Sequence, residues 1–558
     1  GTILQVYGGR GSETGTPFLT MHRGTGVKNL TIWYPAQTIS VVPYPWTIFC
    51  FPSFTSGGSD NTSVINVTLV NPYQAIKIGP ASNELHYIRT VYGTPLKTGI
   101  WLSQTTDIGR IINVHFEPKY WSGSTLSNSP SEASIKAWTQ ANGEGIAMGR
   151  SDWEYMYDIS LIGYQTGIRI FRYDPSGPAA NGVIYGLRTE EGEVGIRFEM
   201  GNPYGFAITN STINASAGAS PVCVLATNTF STVAQFNTCS FGGSPKTAVL
   251  FEDNSTARMT FQNCTFADWG YQGGDAAVRL QNGSVAILGS EFKKDKPHVS
   301  LGSSVQIAQI LDNVVLSNLN ISNLSAGEVA ISQEPLGMPK LNAPSHQFAA
   351  ERKPATNALF VVSTYGAVGD KSTDDTPAFQ AALDAAGQAG GGTVYVPAGW
   401  YKIASHLNVP PGVELRGIWD VPHHTISQGS VLLASEGNGN AGGTPFITLQ
   451  QNSGVRGLTI WYPDQNYVPF PWTIRVGGAN CWVKDVVLAN SYQGIDLATV
   501  PSPNHWVSYV GGSPLKTGIY VSNNTGEGWI ENVQFNSHYW NRSTGYPKNV
   551  NPNPSSPT

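Results

Sequence analysis

Short runs of alternating apolar and polar residues recur through residues 208–292 at a nearly constant interval. The four runs begin at Ile208, Phe236, Phe261 and Ile287, which are 28, 25 and 26 residues apart. Each run predicts a strand, and the Gly, Asn and Ser residues between runs predict turns. One such unit cannot bury its own apolar face, so the units must stack. The pattern therefore predicts an all-β fold, a right-handed parallel β-helix, with a β-sandwich or a propeller as the alternative.

A longer repeat joins the start of the chain to its end. The segment LTIWYPAQTISVVPYPWTI begins at Leu30, and LTIWYPDQNYVPFPWTI begins at Leu458. His86 and the nearby TPLKTGI return in the same order as His505 and SPLKTGI. Self-similarity of this kind indicates repeated structural modules. The sequence therefore predicts two tandem β-helix modules.

The two modules are expected to be incomplete in opposite ways. The segment that starts near Leu359 has no counterpart in the first copy, and residues 145–340 have none in the second. We therefore expect a first module at 1–345 that lacks its head, and a second module at 359–558 that lacks its tail. Residues 346–358 are expected to form the linker.

The head of the second module carries a helical signal. Asp375 or Thr376 is placed to cap a helix, and Pro377 suits its first turn. Residues 378–386 are then helical, and Gly387 is expected to end the helix. A short amphipathic helix at this position would cover the open end of a β-helix, whose exposed backbone groups otherwise invite edge pairing.

The segment that contains this helix, from Tyr365 to Gly417, reads YGAVGD…DDTPAFQAAL…GGTVYVPAGWYKI…PPGVELRG. It resembles the head of the pectate lyase superfamily of right-handed β-helices, in particular the branch with glycoside hydrolase family 55 and family 28-related proteins. The resemblance implies a tandem layout, because family 55 members carry two consecutive β-helices. It does not imply one reaction, because the branch includes hydrolases, lyases and phage spike proteins. Within this head, we interpret three acidic residues as turn and cap residues: Asp370, Asp374 and Asp375.

Composition and charge remove several classes of function. Charged residues make up 12% of the chain, and the net charge is −5 without a basic cluster, which argues against a nucleic-acid partner. No apolar run approaches the roughly 20 residues of a membrane span. The five cysteines form no CxxC pair, and no dedicated calcium loop is visible, so we expect neither a metal nor an organic cofactor.

Acidic residues cluster in GRSDWEYMYDISLIG, residues 149–163. If Ile159 and Leu161 point inward, three carboxylates are expected to point outward on the same strand: Asp152, Glu154 and Asp158. Alternate residues on a strand lie about 6.6 Å apart, a spacing that suits the paired carboxyl groups of glycoside hydrolysis. Glu117, which follows a strand one coil earlier, is a further candidate acid. An ordinary solvated strand face is the alternative interpretation.

His86 and Lys97 offer a different chemistry. Both return in the second module, as His505 and Lys516. A lyase needs a base to take the proton beside a carboxylate and a cation to stabilise the resulting charge. His86 and Lys97 could supply these groups or bind substrate, although PLKTGI is also a plausible turn into a strand.

Aromatic side chains could stack on sugar rings, because their π faces match the C–H faces of sugars. The prolines around the repeated aromatic segment predict a rigid loop, which could instead pack against its own helix. The candidate substrate-binding aromatics are Trp33, Tyr34, Trp46, Tyr120, Trp121, Trp153, Trp461 and Trp472.

The sequence therefore predicts a secreted or cell-surface carbohydrate-active enzyme, foremost a glycoside hydrolase that cleaves an extended polysaccharide. A polysaccharide lyase acting on a uronate polymer is the first alternative, and a non-catalytic glycan-binding or adhesion module is the second. The reaction is expected in the first module, downstream of the aromatic segment. The oligomeric state stays open.

Overall fold

The computed structural model describes residues 1–50, 59–274, 276–332, 349–420, 422 and 429–541. Contacts divide the chain into two compact units, Gly1–Ser345 and His346–Thr558. In each unit, strands pair in parallel with strands of the preceding and following coils. The predicted all-β parallel solenoid is therefore confirmed.

The first unit has three sheet faces. In the early coils, one bent strand supplies both the first and the second face: Gly26–Trp33, Ser63–Leu69, Tyr87–Gly93, Gly109–Phe116, Glu154–Ile162 and Gly182–Glu190. Later coils give the first face separate strands: Phe206–Thr209, Val233–Asn237, Arg258–Gln262 and Glu328–Ile331. The other strands of the second face are Thr2–Gln5, Thr212–Ala215, Ser240–Gly243, Thr265–Phe266 and Glu291–Phe292.

The third face of the first unit is a ladder of short strands, most of them five residues long. They are Leu19–Met21, Trp46–Cys50, Gln74–Ile78, Thr98–Leu102, Glu144–Met148, Thr166–Ile170, Val194–Phe198, Val222–Ala226, Thr247–Phe251 and Ile321–Asn323. Two long strands run from the third face into the next first-face position: Val278–Leu288 and Val299–Leu311. Ser59–Asp60 and Asn83–Glu84 form a small separate pair.

The corner between the first and second faces is made by one residue with a left-handed backbone. Asn66, Thr90, Asn113 and Asp158 all have φ between 53° and 54° at this corner. Asparagine and aspartate tolerate this conformation better than most residues. Because the left-handed residue interrupts the alternation of the strand, side chains three positions apart, such as Met156 and Ile159, both point inward.

The second unit repeats the three faces. Its first face holds Leu359–Val361, Gly392–Tyr395, Val413–Arg416, Gly454–Arg456 and the first parts of Trp482–Leu488, Trp506–Gly512 and Trp529–Phe535. Its second face holds the remainders of these three strands with Asp370–Asp374, Gly399–Ile403, Ser430–Ala434 and Thr459–Trp461. Its third face holds Leu407–Val409, Ile447–Leu449, Trp472–Val476, Gln493–Leu497 and Thr517–Val521.

The described part of the expected linker belongs to the second unit. Ala349 is buried against Trp482 and Trp506, and the Arg352 guanidinium donates to the Asn504 carbonyl at 3.1 Å. Residues 346–348 lie outside the described residues. The stretch from 349 to 358 therefore packs on a module, where the sequence predicted a connection.

Two helices of the first unit were not predicted. α1 (Lys119–Ser122) and α2 (Glu132–Asn142) lie between the second face and the third-face strand Glu144–Met148. The Ser131 hydroxyl caps α2 by accepting from the Ser134 amide at 3.2 Å. No described helix in either unit is long and apolar enough to span a membrane.

The predicted helix of the second-unit head is present as α3 (Thr376–Gln388), after the 3₁₀ turn Val362–Tyr365. Its apolar side is buried in the second-unit core. Asp375 stands at the N-cap position of α3, as predicted. Its side chain does not bond the helix amides, because it accepts from the Val368 and Gly369 amides at 2.7 and 3.1 Å, outside the helix. The predicted end of the helix was wrong, because the helix continues through Gly387, where an added Cβ would lie 2.8 Å from the Pro410 ring.

The core of each unit consists of inward stacks along the coils. In the first unit, Phe236 stacks on Phe261 with ring centroids 5.0 Å apart, and Phe266 stacks on Phe292 at 4.6 Å. All five cysteines are buried free thiols. The second unit ends its described part with α4 (His538–Asn541).

Candidate functional site

A cleft of about 460 Å³ lies on the third face of the first unit. Its floor comes from four neighbouring strands, Glu144–Met148, Thr166–Ile170, Val194–Phe198 and Val222–Ala226, and the preceding loops add Gln165, Glu193 and Ser220. In the first three strands, isoleucine points into the core and the next residue points outward, which brings Arg169 and Arg197 onto adjacent rungs. The floor is therefore a charged surface on which two arginines lie among the carboxylates of Glu144, Glu193 and Glu199.

Two carboxylates contact the Arg169 guanidinium from different sides. Arg169 Nη1 lies 3.4 Å from Glu144 Oε1, and Arg169 Nε lies 3.1 Å from Glu199 Oε1. Glu199 Oε1 also accepts from Arg197 Nε at 2.7 Å. Glu199 is thus held by two cations, whereas Glu144 has one close cation.

Glu144 is the carboxyl group of the cleft that binds its proton more strongly than usual. Burial raises the pKa of Glu144, and this effect outweighs the opposing charges of Arg169 and Lys97. A carboxyl group with a raised pKa in a cleft is a candidate acid or base, because its ionised form is a stronger base than an exposed glutamate. The cleft therefore combines a candidate proton-transfer group with two carboxylate-binding guanidinium groups.

Aromatic side chains border the cleft along the third face. Trp101 lies one rung from Ala147, which lies one rung from Arg169. The Trp101 and Tyr173 rings meet edge to face at 5.4 Å, and the Arg169 guanidinium lies 4.5 Å above the Phe171 ring. Apolar ring surface next to a few polar groups is the usual composition of a ligand-binding cleft.

The predicted carboxylates of the strand Glu154–Ile162 do not share one outward face. Glu154 is buried: its Oε1 lies 3.0 Å from His86 Nε2, and its Oε2 accepts from the Ser151 hydroxyl at 2.7 Å. The expectation that Glu154 points outward was wrong because the left-handed residue Asp158 shifts the alternation of the strand. Asp152 does reach the surface, where it pairs with Arg150 at 2.7 Å.

Asp158 and Glu117 lie on the second face, away from the strands that form the cleft. Asp158 Oδ1 lies 3.4 Å from His115 Nε2. Glu117 is nearly buried, pairs with Lys119 and accepts from the Ser160 hydroxyl at 3.0 Å. Their catalytic roles stay predictions, and no contact joins them to the cleft.

The predicted pair of His86 and Lys97 is separated in the fold. His86 is fully buried against Glu154 and precedes a first-face strand. Lys97 precedes the third-face strand Thr98–Leu102 and is near enough to Glu144 for its charge to lower the pKa of that group. Lys97 therefore lies beside the cleft, whereas His86 is a buried partner of Glu154.

The predicted sugar-stacking aromatics divide into buried and accessible groups. Trp33, Tyr34, Trp121 and Trp461 are all buried, so none of them offers a ring face to a sugar. The reason is packing: these rings fill space between the coils. The accessible group is Trp46, Tyr120, Trp153 and Trp472. Trp472 stacks on Tyr520 in the second unit with ring centroids 6.1 Å apart.

Sequence reasoning missed the residues of the cleft: Glu144, Arg169, Arg197 and Glu199. A signal was present in the strands EGIAM, TGIRI and VGIRF, which place Arg169 and Arg197 at the same position after a Gly-Ile pair. Aligning these strands as successive coils would have placed both arginines on one outward row. Among the described residues, including those of the cleft, no group of three or more His, Cys, Asp or Glu side chains is arranged to hold a metal ion.

Comparisons with known proteins find their family match in the second unit. The family model for rhamnogalacturonase A/epimerase, pectate lyase-like, matches residues 359–448. Together with the parallel solenoid, this match supports the predicted right-handed β-helix of the pectate lyase superfamily. The match covers the region of the predicted head and capping helix.

Curated relatives are similar to short parts of this chain. Mannuronan C5-epimerase AlgE6 of Azotobacter vinelandii is 54% identical over 103 residues, which are 18% of this chain and 12% of that protein. Mannuronan C5-epimerase AlgE1 and alginate lyase 7 of the same organism are 57% and 60% identical over 47 and 43 residues, each 8% of this chain. The chain spans 3% of the length of AlgE1 and 5% of the length of alginate lyase 7.

Comparison with solved structures finds two chains of low overall similarity to this one. A PL6 family alginate lyase has 10% sequence identity and a TM-score of 0.29, with 92% of this chain and 82% of that chain covered. The N-terminal fragment of gene product 12 of bacteriophage Phi29 has 11% identity and a TM-score of 0.31, with 96% and 87% covered.

Proposed function

We propose that the first unit is an enzyme that acts on a uronate polysaccharide and removes the proton beside the sugar carboxylate, as lyases and epimerases do. The observation that carries the proposal is the pairing of Arg169 and Arg197 on adjacent rungs with Glu144, whose pKa is raised by burial. The curated relatives are named as mannuronan epimerases and an alginate lyase, which supports this class of reaction. We also propose that the protein is secreted or lies at the cell surface, where it would meet a polymeric substrate.

Arginine is well suited to the first task, which is to hold the uronate carboxylate. Its planar guanidinium can donate two parallel hydrogen bonds to a carboxylate. Neutralising that carboxylate makes the neighbouring C–H more acidic, because the negative charge that develops on proton removal is stabilised. In the structure, Glu199 accepts from both arginines, so a substrate carboxylate would take over part of this contact.

Glu144 is suited to the second task, which is to take the proton. Its ionised form accepts the proton from the carbon next to the carboxylate, and the electrons of the C–H bond move toward the neutralised carboxylate. In a lyase, the C–O bond to the neighbouring sugar then breaks, a C=C bond forms, and the departing oxygen takes up a proton from the protonated Glu144 or from water. In an epimerase, water instead donates a proton to the carbon from the opposite side of the ring, and no bond between sugars breaks.

Glycoside hydrolysis is the second candidate, and one observation favours it. Glu144 and Glu199 contact the same guanidinium but have different environments, and two carboxyl groups in different environments are the usual acid and base of a glycosidase. In this case they would replace the predicted acids of residues 152–158. One carboxyl group would then protonate the glycosidic oxygen, and the other would activate a water molecule or attack the sugar. The proton beside the sugar carboxylate would stay in place.

The test uses the full chain with alginate, polygalacturonate and a neutral glucan. A lyase gives an ultraviolet-absorbing unsaturated end, an epimerase gives an altered sugar composition by NMR, and a hydrolase gives reducing ends without ultraviolet absorbance. We expect Glu144→Gln and Arg169→Ala to abolish the product, and Arg279→Ala, on the same outward row beyond the cleft, to leave it unchanged. Folded Glu144→Gln with full activity would overturn the assignment.

A further inference from the structure

The outward side of the second face in the first unit carries a second group of polar and aromatic side chains. Tyr92, His115, Ser160 and Arg188 occupy successive rungs of one row, with a spacing of about 4.8 Å between rungs. The third-face cleft uses none of these residues. The row is therefore a separate surface, held on the same rigid coils.

Aromatic rings form one side of this surface. Tyr92 and Tyr120 stack almost parallel, with ring centroids 5.6 Å apart and an interplanar angle of 8°. The His115 ring lies 5.1 Å from Tyr92 on the neighbouring rung. The Tyr92 hydroxyl donates to Asn113 Oδ1 at 3.1 Å, which fixes the ring at the corner. Three rings held in this way offer a continuous apolar edge.

Charged groups surround the rings, and the cations are the more accessible ones. The Lys119 and Arg188 side chains are 56% and 53% exposed, whereas their partners Glu117 and Glu190 are 6% and 28% exposed. His115 Nε2 points at Asp158 Oδ1, 3.4 Å away, and has no solvent contact of its own. The Asp158 side chain is 42% exposed, so the two most exposed charges of this surface are positive and each of them lies beside a carboxylate.

The second unit provides an internal comparison, because it repeats the scaffold of this surface. The Thr94 hydroxyl donates to the Glu117 carbonyl at 2.6 Å and accepts from the Trp121 amide at 3.0 Å. Ser513 makes the same two bonds, to the Asn536 carbonyl at 2.5 Å and from the Trp540 amide at 3.0 Å. The turn that follows the second-face strand is thus the same in both units.

The side chains on that scaffold differ between the units. Gly511, Gln534 and Asn536 stand where the first unit has Tyr92, His115 and Glu117. The shared scaffold needs none of the three first-unit side chains, because the second unit forms it without them. The turn itself therefore does not account for their presence in the first unit.

The tyrosine in this turn, Tyr120 in the first unit and Tyr539 in the second, has a different environment in the two units. In the second unit, Tyr539 is buried, and a Cβ added to Gly511 would lie 2.4 Å from its ring. In the first unit, Tyr92 occupies that space, and the equivalent Tyr120 stacks on the outer side of Tyr92, where it is partly exposed. Where the second unit has Gly511, the turn tyrosine is buried. Where the first unit has Tyr92, the turn tyrosine is partly exposed.

We propose that this surface, made by Tyr92, His115, Asp158, Lys119, Tyr120 and Arg188, is a second glycan-binding site that takes a uronate segment of a polysaccharide. Sugar rings lie along the tyrosine edge, and their carboxylates replace the solvent around Lys119 and Arg188. The choice of a uronate rests on the proposed function and on the accessible positive charge. The existence of a binding site rests on the comparison between the two units.

The test counts oligosaccharides bound per chain by isothermal titration calorimetry with alginate oligomers. The main variant is the triple substitution Tyr92→Gly, His115→Gln and Lys119→Ala. The first two changes install the residues that the second unit carries at these positions, and the third removes an exposed cation of the surface. A single His115→Gln variant guards against misfolding of the triple variant. Thr265→Ala, on the same outward row farther along the unit, is the matched control.

We expect the triple variant to lose one class of binding site, or to bind oligomers at least tenfold more weakly there, with unchanged turnover of short oligomers in the cleft. The single variant is expected to show part of that loss, and Thr265→Ala none. Unchanged binding by the folded triple variant would overturn the proposal. Binding that is lost in the triple variant without turnover in any preparation would instead contradict only the proposed function.

Discussion

The two copies of the aromatic segment are the same in their buried contacts. The Tyr34 amide donates to Asn71 Oδ1 at 2.9 Å, and the Asn71 amide group donates back to the Tyr34 carbonyl at 3.1 Å. Tyr462 and Asn490 repeat both bonds at 2.9 Å. The repeated segment therefore joins neighbouring coils through this pair of hydrogen bonds between a tyrosine backbone and an asparagine side chain, which we call the latch. The segment occurs twice because both units pack their coils in the same way.

The two units share these buried contacts, but their outward-row side chains differ. On the third face, the first unit has Lys77 and Trp101 where the second has Asp496 and Tyr520. Buried positions are restricted by the neighbouring coils, whereas outward positions can change without disturbing the stack. Differences between the copies are therefore better guides to function than the shared motifs.

The largest expected effect is on the reaction rate, and it compares the cleft of the first unit with the third face of the second unit. Glu144→Gln should lower the rate on the true substrate by on the order of 10²-fold or more, as expected for loss of a general base. Arg475→Ala removes the 2.8 Å ion pair with Asp496 in the second unit and should leave the rate unchanged. Initial rates of both purified variants check this. Equal losses of rate in the two variants would contradict the assignment of the reaction to the first unit.

The next effect tests the claim that the latch is the same in both units. Asn71→Ala and Asn490→Ala each leave a buried amide and a buried carbonyl without a partner, so each should lower the free energy of unfolding by about 2–3 kcal/mol. Asn142→Ala, which removes an exposed bond to the Trp138 carbonyl, should cost much less. Denaturant unfolding of the three variants measures this. A loss confined to one unit would show that the copies differ in their packing.

A smaller expected effect is a loss of stability of the first unit in mild acid. Burial lowers the pKa of His298 below its ordinary value of 6.5, and His298 Nδ1 accepts from the Asn320 amide at 2.8 Å. The neutral form is therefore favoured in the folded state. This contribution is complete above pH 6.5 and is lost as the pH falls through the lower folded pKa. Thermal melts from pH 7.5 to 4.5 should show this loss, and His298→Gln should lack it.

The smallest effect belongs to the second unit and appears only in stronger acid. Burial acts to raise the pKa of Asp496, but hydrogen bonds from Thr499, Ala498 and Arg475 outweigh it and lower the pKa below 3.8. The charged form therefore stabilises the fold above pH 3.8, and this contribution is lost as the pH falls through the lower folded pKa. Asp496→Asn should destabilise at pH 7 and have no effect at the acid end. An equal effect at both ends would contradict this.

Much of the fold could be predicted from the sequence, because a solenoid depends on local periodicity. The runs at Ile208, Phe236, Phe261 and Ile287 became stacked strands with the predicted spacing. The helix of the second-unit head was also predicted, to within a few residues. Neighbouring coils repeat the same pattern, so a local reading of each coil is nearly sufficient.

The candidate site could not be predicted in the same way, because it depends on which residues meet across coils. Glu144, Arg169 and Glu199 are at least 25 residues apart, and only the register of the third face brings them into contact. The predicted face of Glu154 failed for a related reason. A left-handed backbone at Asp158 changes the strand phase, and an aspartate in a strand-like run does not reveal this.

The sequence by itself determined the repeats, the parallel β-helix and the capping helix of the second unit. These features follow from apolar periodicity and turn residues, which act over a few positions. The tertiary structure decided which aromatic and charged side chains are accessible. It buried Trp33, Tyr34 and His86, and it assembled the cleft around Arg169. Accessibility depends on the neighbouring coils, and only the folded stack fixes which residues those are.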